Sequence, residues 1–343
     1  MSQLRDLHAR PLSNLRVSVT DRCNLRCAYC MPEAEYEWLP NSKILSFEET
    51  ALLVDQFLAL GVHQVRLTGG EPLIRRELPE LVRQLAQKSA LQDLSLTTNG
   101  VLLAEQAAAL HSAGLHRLTV SLDTLKADRF QALTRRDSLP HVIEGIEAAA
   151  RVGFRKGLKL DAVVIRGTND DELVELLRFA AQVKAELRFI EYMDVGGATR
   201  WSREAVVSQQ QMLEAIETAF GPVTALQERS SAPAKRFRLA SGQHFGIIAS
   251  TTQPFCGQCD RARLTADGTF FTCLYATEGL NLRDALRSGA DAQALKTLIA
   301  DRWAQRSDRG AEQRLQLRDA RGPLRNAHEM RRDPLLEMHV RGG

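Results

Sequence analysis

Hydrophobic and polar positions in the first two hundred residues repeat as a strand pattern followed by a helical pattern. The strand patterns are short apolar or alternating runs that end in turn residues such as Gly and Asn. They lie at 15–19, 65–68, 94–98, 118–122, 158–165 and 187–192. About six strands are therefore predicted. Helices that alternate with strands are typical of a parallel sheet with right-handed crossovers.

Several helices carry sequence signals at their ends. Ser46 and Glu49 form a capping-box pattern at the start of a helix that Gly61 closes. The run 169–172 predicts another cap, with Glu at its third position. A helix is expected around 140–152, and a capped one from Ser208 to just before Gly221.

The β-then-α units of thirty-odd residues favour a partial or full barrel over a doubly wound sheet. Six units are too few for a complete eightfold barrel, and periodicity alone leaves a flat sheet open. The pattern changes after residue 200, and we place a domain boundary near 225. The expected domains are a core at 1–225 and a smaller C-terminal domain at 226–343, helical at 280–303.

Composition narrows the class of protein. The chain has 343 residues, 44% of them hydrophobic, and a formal net charge of +3, so it can bury a full core. This charge argues against a general nucleic-acid binder but allows a local basic pocket. The sequence shows neither eighteen continuous apolar residues nor an apolar signal core, so we expect a cytoplasmic protein without membrane contact.

Cysteines fall into two groups of three. Cys23, Cys27 and Cys30 follow the first strand at C-x3-C-x2-C spacing. Three thiolates leave one iron of a four-iron cluster open for another ligand. Zinc, or unpaired buried thiols, are the alternatives, although zinc sites usually add His or a second C-x2-C hook.

The second group has C-x2-C-x13-C spacing and consists of Cys256, Cys259 and Cys273. Zinc is a stronger alternative here, since His244 lies upstream. Arg261 and Arg263 follow the C-x2-C hook, and an extended segment would point both guanidinium groups to one face. Such forks match phosphate oxygens, so a polyphosphate ligand is predicted beside this group.

The first cysteine loop, with Gly69-Gly70-Glu71-Pro72 one βα unit later, resembles the radical S-adenosylmethionine (SAM) superfamily. The resemblance implies an incomplete (β/α)6 barrel with a [4Fe–4S] cluster whose open iron chelates SAM. It also implies reductive cleavage of SAM to a 5′-deoxyadenosyl radical. The implied SAM contacts are Tyr29, Gly70, Glu71, Ser121 and Met193.

Within this superfamily the chain resembles the GTP 3′,8-cyclases of molybdenum cofactor biosynthesis over nearly its whole length. The segments that carry this resemblance are 15–23, 66–72, 121–124, 188–196, 253–259 and the terminal Gly342-Gly343. The GTP contacts that it implies are Arg16, Arg66, Thr97, Lys159, Arg188, Arg261 and Arg263. Gln64 departs from the Lys that the family often has there, which puts a secondary phosphate contact in doubt.

The same resemblance implies a second [4Fe–4S] cluster on Cys256, Cys259 and Cys273 that holds the guanine base, and a Gly-Gly tail that enters the site. The implied reaction converts GTP to 3′,8-cyclo-7,8-dihydro-GTP, which a separate cyclic pyranopterin monophosphate synthase consumes. A flavodoxin or ferredoxin is the expected reductant, and a homodimer the expected assembly. The alternatives are a radical SAM maturase with auxiliary clusters and a non-catalytic zinc or iron–sulfur module.

Overall fold

The computed structural model of the protein describes residues 3–33, 35–227, 231–332 and 337–342. Its core is a sheet in which six strands follow one another in chain order, all parallel. These strands are β1 (Asn14–Ser18), β2 (Gln64–Thr68), β3 (Asp93–Thr98), β4 (Arg117–Ser121), β5 (Leu158–Val164) and β6 (Glu186–Glu191). The six predicted strands and their parallel order are confirmed.

Amphipathic helices connect these strands and bury their apolar faces against the sheet. They are α1 (Phe47–Ala59), α2 (Leu78–Ala86), α3 (Leu103–Ser112), α4 (Ala127–Thr134), α5 (Leu139–Val152) and α6 (Leu173–Gln182). α3 and α5 pack closely at Gly145, where a Cβ would lie 2.5 Å from the carbonyl oxygen of Gly100. The α7 helix (Gln209–Phe220) begins at the capping box of Ser208 and ends at Gly221, as predicted.

C-terminal strands extend both edges of the same sheet. β9 (His244–Ile248) is parallel to β6, and β10 (Arg261–Leu264) is parallel to β1. Antiparallel strands complete the two edges: β7 (Thr224–Ala225), β8 (Lys235–Arg238), β11 (Thr269–Phe271) and β12 (Leu280–Asn281). The C-terminal third therefore closes around the core and does not form a sheet of its own.

The parallel sheet curves into a partial barrel. In a flat sheet β1 and β6 would lie about 24 Å apart, at about 4.8 Å per strand. Yet the segment that follows β6 packs on the loop that follows β1, since a Cβ on Gly197 would lie 2.0 Å from the carbonyl oxygen of Cys30. Arg188 on β6 is also close enough to Arg16 on β1 for its charge to contribute to the lowered pKa of Arg16. The outer two of the six strands therefore approach each other around a concave interior, as the predicted incomplete barrel requires.

The predicted side-chain cap at 169–172 is wrong. α6 begins at Leu173, and its N-cap Glu172 makes no capping hydrogen bond. Glu172 accepts hydrogen bonds from the Thr124 hydroxyl and the Leu125 N–H instead. The Asn169 side chain bonds to the backbone of Val163 and Ile165. The side chains of Asn169 and Glu172 therefore bond to groups outside the helix and do not cap its first turn.

Further helices lie in the C-terminal third of the chain. The expected helix over 280–303 consists of α8 (Leu282–Arg287) and α9 (Ala292–Ala304), separated near Gly289 at φ +91°. α10 (Gly310–Gln316), α11 (Ala327–Arg332) and α12 (Met338–Arg341) follow. Within the described ranges, none of the helices has the length and apolarity needed to cross a membrane.

Candidate active site

The first cysteine loop follows β1 and is fixed by backbone hydrogen bonds to the end of α4. Arg26 N–H donates to the Thr134 carbonyl, and Ala28 N–H to the Leu133 carbonyl, both at 2.9 Å. The Cys30 N–H also donates to the carbonyl of Cys27. The chain therefore holds these cysteines at the carboxyl edge of the parallel strands.

The pKa of each of the three thiols is raised. Burial is the main cause for each, and the Glu71 carboxylate adds to it for Cys23, whose pKa rises to about 11. Cys30 and Cys23 further raise the pKa of Cys27, and Cys23 raises that of Cys30. Three neighbouring, partly buried thiolates therefore need a bound positive charge, which the irons of a cluster would supply. Among the described residues, no three His, Cys, Asp or Glu side chains meet at the spacing of a single metal ion.

Tyr29 lies between the last two cysteines and is oriented by the partly buried carboxylate of Asp123. Its hydroxyl donates to Asp123 Oδ2 at 2.6 Å, while Asp123 Oδ1 accepts from the Val163 N–H. Burial raises the pKa of Asp123 to about 6. The sequence reasoning missed Asp123, which follows β4 and fixes the aromatic ring of the loop.

The Gly-Gly turn packs directly on the cysteine loop. A Cβ on Gly70 would lie 2.3 Å from the carbonyl oxygen of Arg22. Glu71 is fully buried, and its carboxylate accepts from the Leu73 N–H, the Thr98 hydroxyl and the Asn99 N–H. Burial raises the pKa of Glu71 to about 7. Glu71 thus joins the ends of β2 and β3, and its predicted contact with SAM remains a prediction.

Ser121 and Met193 lie at the same edge. Ser121 is the last residue of β4, and Met193 follows β6 by two positions. Both are partly buried. Their predicted SAM contacts are untested, but the structure places both residues on the edge that holds the cysteine loop.

Basic side chains from several strands line the concave interior, at Arg16, Arg66, Lys159, Arg188, Arg261 and Arg263. Arg66 donates to the hydroxyls of Thr97 and Thr119 at 2.8 and 3.2 Å. Burial and then neighbouring arginines lower the pKa of Arg16 and Arg66. Such a concentration of like charge in an enclosed volume attracts a polyanion. Gln64 precedes Arg66 by two positions on β2 and adds no charge.

Two acidic residues that the sequence reasoning missed lie among these bases. Arg188 donates to both carboxylate oxygens of Asp161, at 2.6 and 2.8 Å. Lys159 donates to Glu186 at 2.5 Å. Asp161 follows Lys159 by two positions on β5, so period-two alternation could have revealed it.

The second cysteine group lies beside β10 and β11. Burial raises the pKa of Cys256 and of Cys273. For Cys259, burial acts in the same direction, but Arg261 and Arg306 outweigh it and lower the pKa to about 7. One thiol of this group is thus ready to bind metal as a thiolate near neutral pH. His244 is exposed at the start of β9, where Arg236 contacts its ring.

The C-terminal tail enters the basic interior. The Gly342 carbonyl accepts from Arg263 at 2.6 Å and from Arg16 at 3.4 Å. Gly342 has φ +67°, and a Cβ there would lie 1.9 Å from the Thr68 hydroxyl oxygen. Only glycine fits this position. Gly343, the other predicted tail residue, lies outside the described residues.

Comparison with known proteins identifies the family. The radical SAM superfamily model matches residues 17–180, and the model described as Molybdenum Cofactor Synthesis C matches 185–312. GTP 3′,8-cyclase 3 of Mycobacterium bovis is 55% identical across 100% of this chain and 91% of its own. The chain belongs to the GTP 3′,8-cyclase family of radical SAM enzymes. Membership implies a [4Fe–4S] cluster and SAM, and the first cysteine group provides suitable ligands.

Other members of the family are similarly close. GTP 3′,8-cyclase 1 of Mycobacterium tuberculosis is 52% identical over 99% of this chain and 96% of its own. The GTP 3′,8-cyclase of Aquifex aeolicus is 42% identical over 93% of this chain and 97% of its own. This GTP 3′,8-cyclase family chain therefore spans nearly the full length of these relatives.

Solved structures support the fold of this family member. Streptococcus suis SuiB bound to S-adenosylmethionine superposes with a TM-score of 0.59 at 14% identity, covering 85% of this chain and 69% of SuiB. A polyhistidine-tagged anSMEcpe with bound AdoMet superposes with a TM-score of 0.60 at 16% identity, covering 97% of this chain and 85% of anSMEcpe. At such low identity the likeness concerns the fold alone.

Proposed function

We propose that this protein converts GTP to 3′,8-cyclo-7,8-dihydro-GTP in the first step of molybdenum cofactor biosynthesis. The observation that carries the proposal is the basic interior between two cysteine groups, into which Arg16, Arg66 and Arg263 project. A triphosphate carries about three to four negative charges, and this interior offers matching positive charge.

The first cysteine group would hold the cluster and SAM at the carboxyl edge. When bound, the cluster and SAM would supply, after one-electron reduction, a 5′-deoxyadenosyl radical able to take the ribose C3′ hydrogen. C3′ would then bond to C8 of guanine, and a second electron from the reductant and a proton would complete the product. Tyr29, Gly70, Glu71, Ser121 and Met193 would position SAM, with Tyr29 held by Asp123.

The basic side chains would bind and orient the triphosphate. Arg16, Arg66, Arg261 and Arg263 would contact phosphate oxygens, and Thr97 would support Arg66. Arg188 pairs with Asp161, and Lys159 pairs with Glu186. A bound phosphate would therefore have to replace the carboxylate as the partner of each of these two bases. These acids keep the bases in place before substrate arrives and lower the repulsion among them.

A second [4Fe–4S] cluster on Cys256, Cys259 and Cys273 would bind the guanine base. In this proposal residues 1–225 form the SAM-binding core, and residues 226–343 carry the second cluster and the Gly342-Gly343 tail. A cytoplasmic flavodoxin or ferredoxin would supply electrons to a homodimer. Cyclic pyranopterin monophosphate synthase would consume the product.

The test is anaerobic incubation of reconstituted protein with SAM, GTP and dithionite. We expect 5′-deoxyadenosine that depends on GTP, together with the cyclic product. Absence of GTP-dependent 5′-deoxyadenosine would contradict the proposal.

A matched pair of variants separates the two clusters. Iron should be about eight per chain in the parent protein and about four in either Cys27→Ala or Cys259→Ala. Cys27→Ala should abolish SAM cleavage, whereas Cys259→Ala should keep the basal cleavage that occurs without GTP and lose both its stimulation by GTP and the cyclic product. Zinc in place of iron at the second group would refute the two-cluster assignment.

A further inference from the structure

Asp194 is a fully buried carboxylate. It connects the carboxyl edge of the parallel strands, which is the SAM-binding edge in the proposed function, to the C-terminal residues. It follows Met193 directly, beyond the end of β6. Arg321 donates to both of its oxygens at 2.9 Å, and Arg314 donates to Oδ2 at 2.7 Å. The Tyr275 hydroxyl donates to Oδ1 at 3.1 Å. Every one of these donors lies C-terminal to residue 273.

Two of the residues that bond to Asp194, Tyr275 and Arg314, lie on segments that contact cysteines of the second group. Tyr275 follows Cys273 by two residues, and its N–H hydrogen-bonds to the Cys273 sulfur at 3.4 Å. Arg314 lies on α10, and that helix packs against the short 3-10 helix Cys256–Gln258, which begins with the first cysteine of the group. One carboxylate thus fixes the loop of Cys273 and the helix that contacts Cys256.

Packing leaves these partners little freedom. The Tyr275 ring lies against α10, where a Cβ on Gly310 would come within 2.4 Å of the Tyr275 side chain. Arg321 is buried, stacks on Trp201 at 5.0 Å and donates to the Thr251 carbonyl. The Trp201 indole N–H in turn donates to the Tyr192 carbonyl beside Met193. The network therefore closes on the segment that follows β6.

We propose that Asp194 is a positioning residue that sets the distance between the SAM-binding edge and the second cysteine group. This inference rests on the proposed function, in which GTP binds at the second group. The radical must form next to the ribose carbon, and small misplacements of reacting groups cost large factors in rate. Asp194 would therefore control how much SAM cleavage leads to product.

The carboxylate suits this task because it is charged and enclosed. Two guanidinium groups share it, and both are within hydrogen-bond range of more than one acceptor. Charged hydrogen bonds at buried sites are strong and directional. A neutral amide of the same shape would keep acceptor capacity on one side only and would loosen α10 and the loop of Cys273.

Asp194→Asn in the reconstituted holoenzyme is the first test. We expect unchanged SAM affinity, and about tenfold more 5′-deoxyadenosine released per cyclic product, the factor for losing one charged hydrogen bond. KM for GTP should rise by a similar factor. Asp319→Asn is the matched control, since Asp319 is exposed and pairs with Arg203 at the surface. The control should keep the parental ratio.

A second readout needs no cluster. In cluster-free protein, Asp194→Asn should speed amide hydrogen exchange in α10 and in 273–277 and leave α1 unchanged. Tyr275→Phe removes one hydroxyl donor and should raise the product ratio less than Asp194→Asn does. If Asp194→Asn fails to fold, Tyr275→Phe still tests whether this network controls the product ratio.

The outcomes separate the two claims. If the parent protein makes no cyclic product, the proposed function fails. If the parent is active and both variants keep its ratio and exchange rates, the role of Asp194 is refuted. Equal loss of SAM cleavage and product, with faster exchange throughout the chain, would mean general destabilisation and would also overturn it.

Discussion

Single residues at the carboxyl edge of the sheet show how burial sets charge. Glu71 accepts three hydrogen bonds from neutral donors, at 2.7 to 2.9 Å, and each of them favours its ionised form. Burial outweighs them and raises its pKa to about 7. The turn beside the cysteine loop therefore contains a carboxyl group that titrates near neutral pH.

Replacing Glu71 with Gln should change how stability depends on pH. The folded protein binds more protons than the unfolded chain between the ordinary pKa of 4.5 and about 7, so Glu71 reduces stability as pH rises through that window. From pH 5 to 8 the unfolding free energy of the parent should fall by on the order of 2–3 kcal/mol relative to that of Glu71→Gln. Denaturant unfolding of cluster-free protein at several pH values measures the difference.

Glu105→Gln, an exposed change on α3, serves as the control and should follow the parent at every pH. A parent-to-variant difference for Glu71→Gln that stays constant from pH 5 to 8 would contradict the raised pKa.

Gly70→Ala should disrupt the contact between the turn and the cysteine loop. The added Cβ meets the Arg22 carbonyl at 2.3 Å, a backbone atom that cannot move away without shifting the loop. We expect a loss of about 2–3 kcal/mol in unfolding free energy and less iron after reconstitution. Gly322→Ala, where a Cβ meets nothing within 4 Å, should behave like the parent. Equal stability of the two variants would show that the turn can relax.

At the scale of elements, helix ends follow two different rules. α1 starts at a capping box, with Ser46 accepting from the Glu49 N–H and Glu49 accepting from the Ser46 N–H. α6 starts without a side-chain cap, because Glu172 is committed to Thr124 and Leu125. Exposed caps can be read locally, whereas buried ones compete with tertiary partners.

Ser46→Ala should therefore cost stability in the way that an exposed cap does. We expect a loss of about 1 kcal/mol in unfolding free energy, since the Glu49 N–H at the start of α1 loses its acceptor. Ser42→Ala, an exposed serine in the preceding turn, should change stability by less than about 0.5 kcal/mol. Urea unfolding of the three cluster-free proteins provides the comparison, and equal midpoints would rule out a stabilising box.

At the scale of the whole molecule, the sheet gathers positive charge that no single strand contains. Arg16 on β1 is affected by Arg263 and Arg261 on β10 and by Arg188 on β6. This repulsion is a cost to the folded state that a bound polyanion removes. Affinity for substrate and stability of the empty protein are thus opposed in this cavity.

Arg16→Met should reveal that opposition. We expect the ligand-free variant to unfold at the same temperature as the parent or higher, because a like charge has left the cavity. The parent should gain about 2.7 kcal/mol from GTP at about 100 times its Kd, and the variant should lose most of that gain. Thermal unfolding with and without GTP gives both values.

Arg83→Met removes an exposed arginine of α2 that pairs with Glu80, and it should leave the GTP effect intact. An Arg16→Met protein that is less stable without ligand, yet still gains fully from GTP, would refute the electrostatic role.

The sequence by itself determined the alternation of strands and helices, the two cysteine groups, the Gly-Gly turn and the exposed cap at Ser46. These are local features: periodicity, spacing and turn chemistry are properties of neighbouring residues. The same alternation places Arg16, Arg66 and Arg188 on strands whose carboxyl ends share one edge.

Only the tertiary structure decided which polar groups become partners. Asp161 and Glu186 pair with predicted substrate-binding bases, Glu172 leaves its helix for Thr124, and Asp194 meets donors from residues 275, 314 and 321. These partners are up to 127 positions apart in the chain. Their pairing depends on how the sheet curves and where the C-terminal residues close over it, which no local pattern contains.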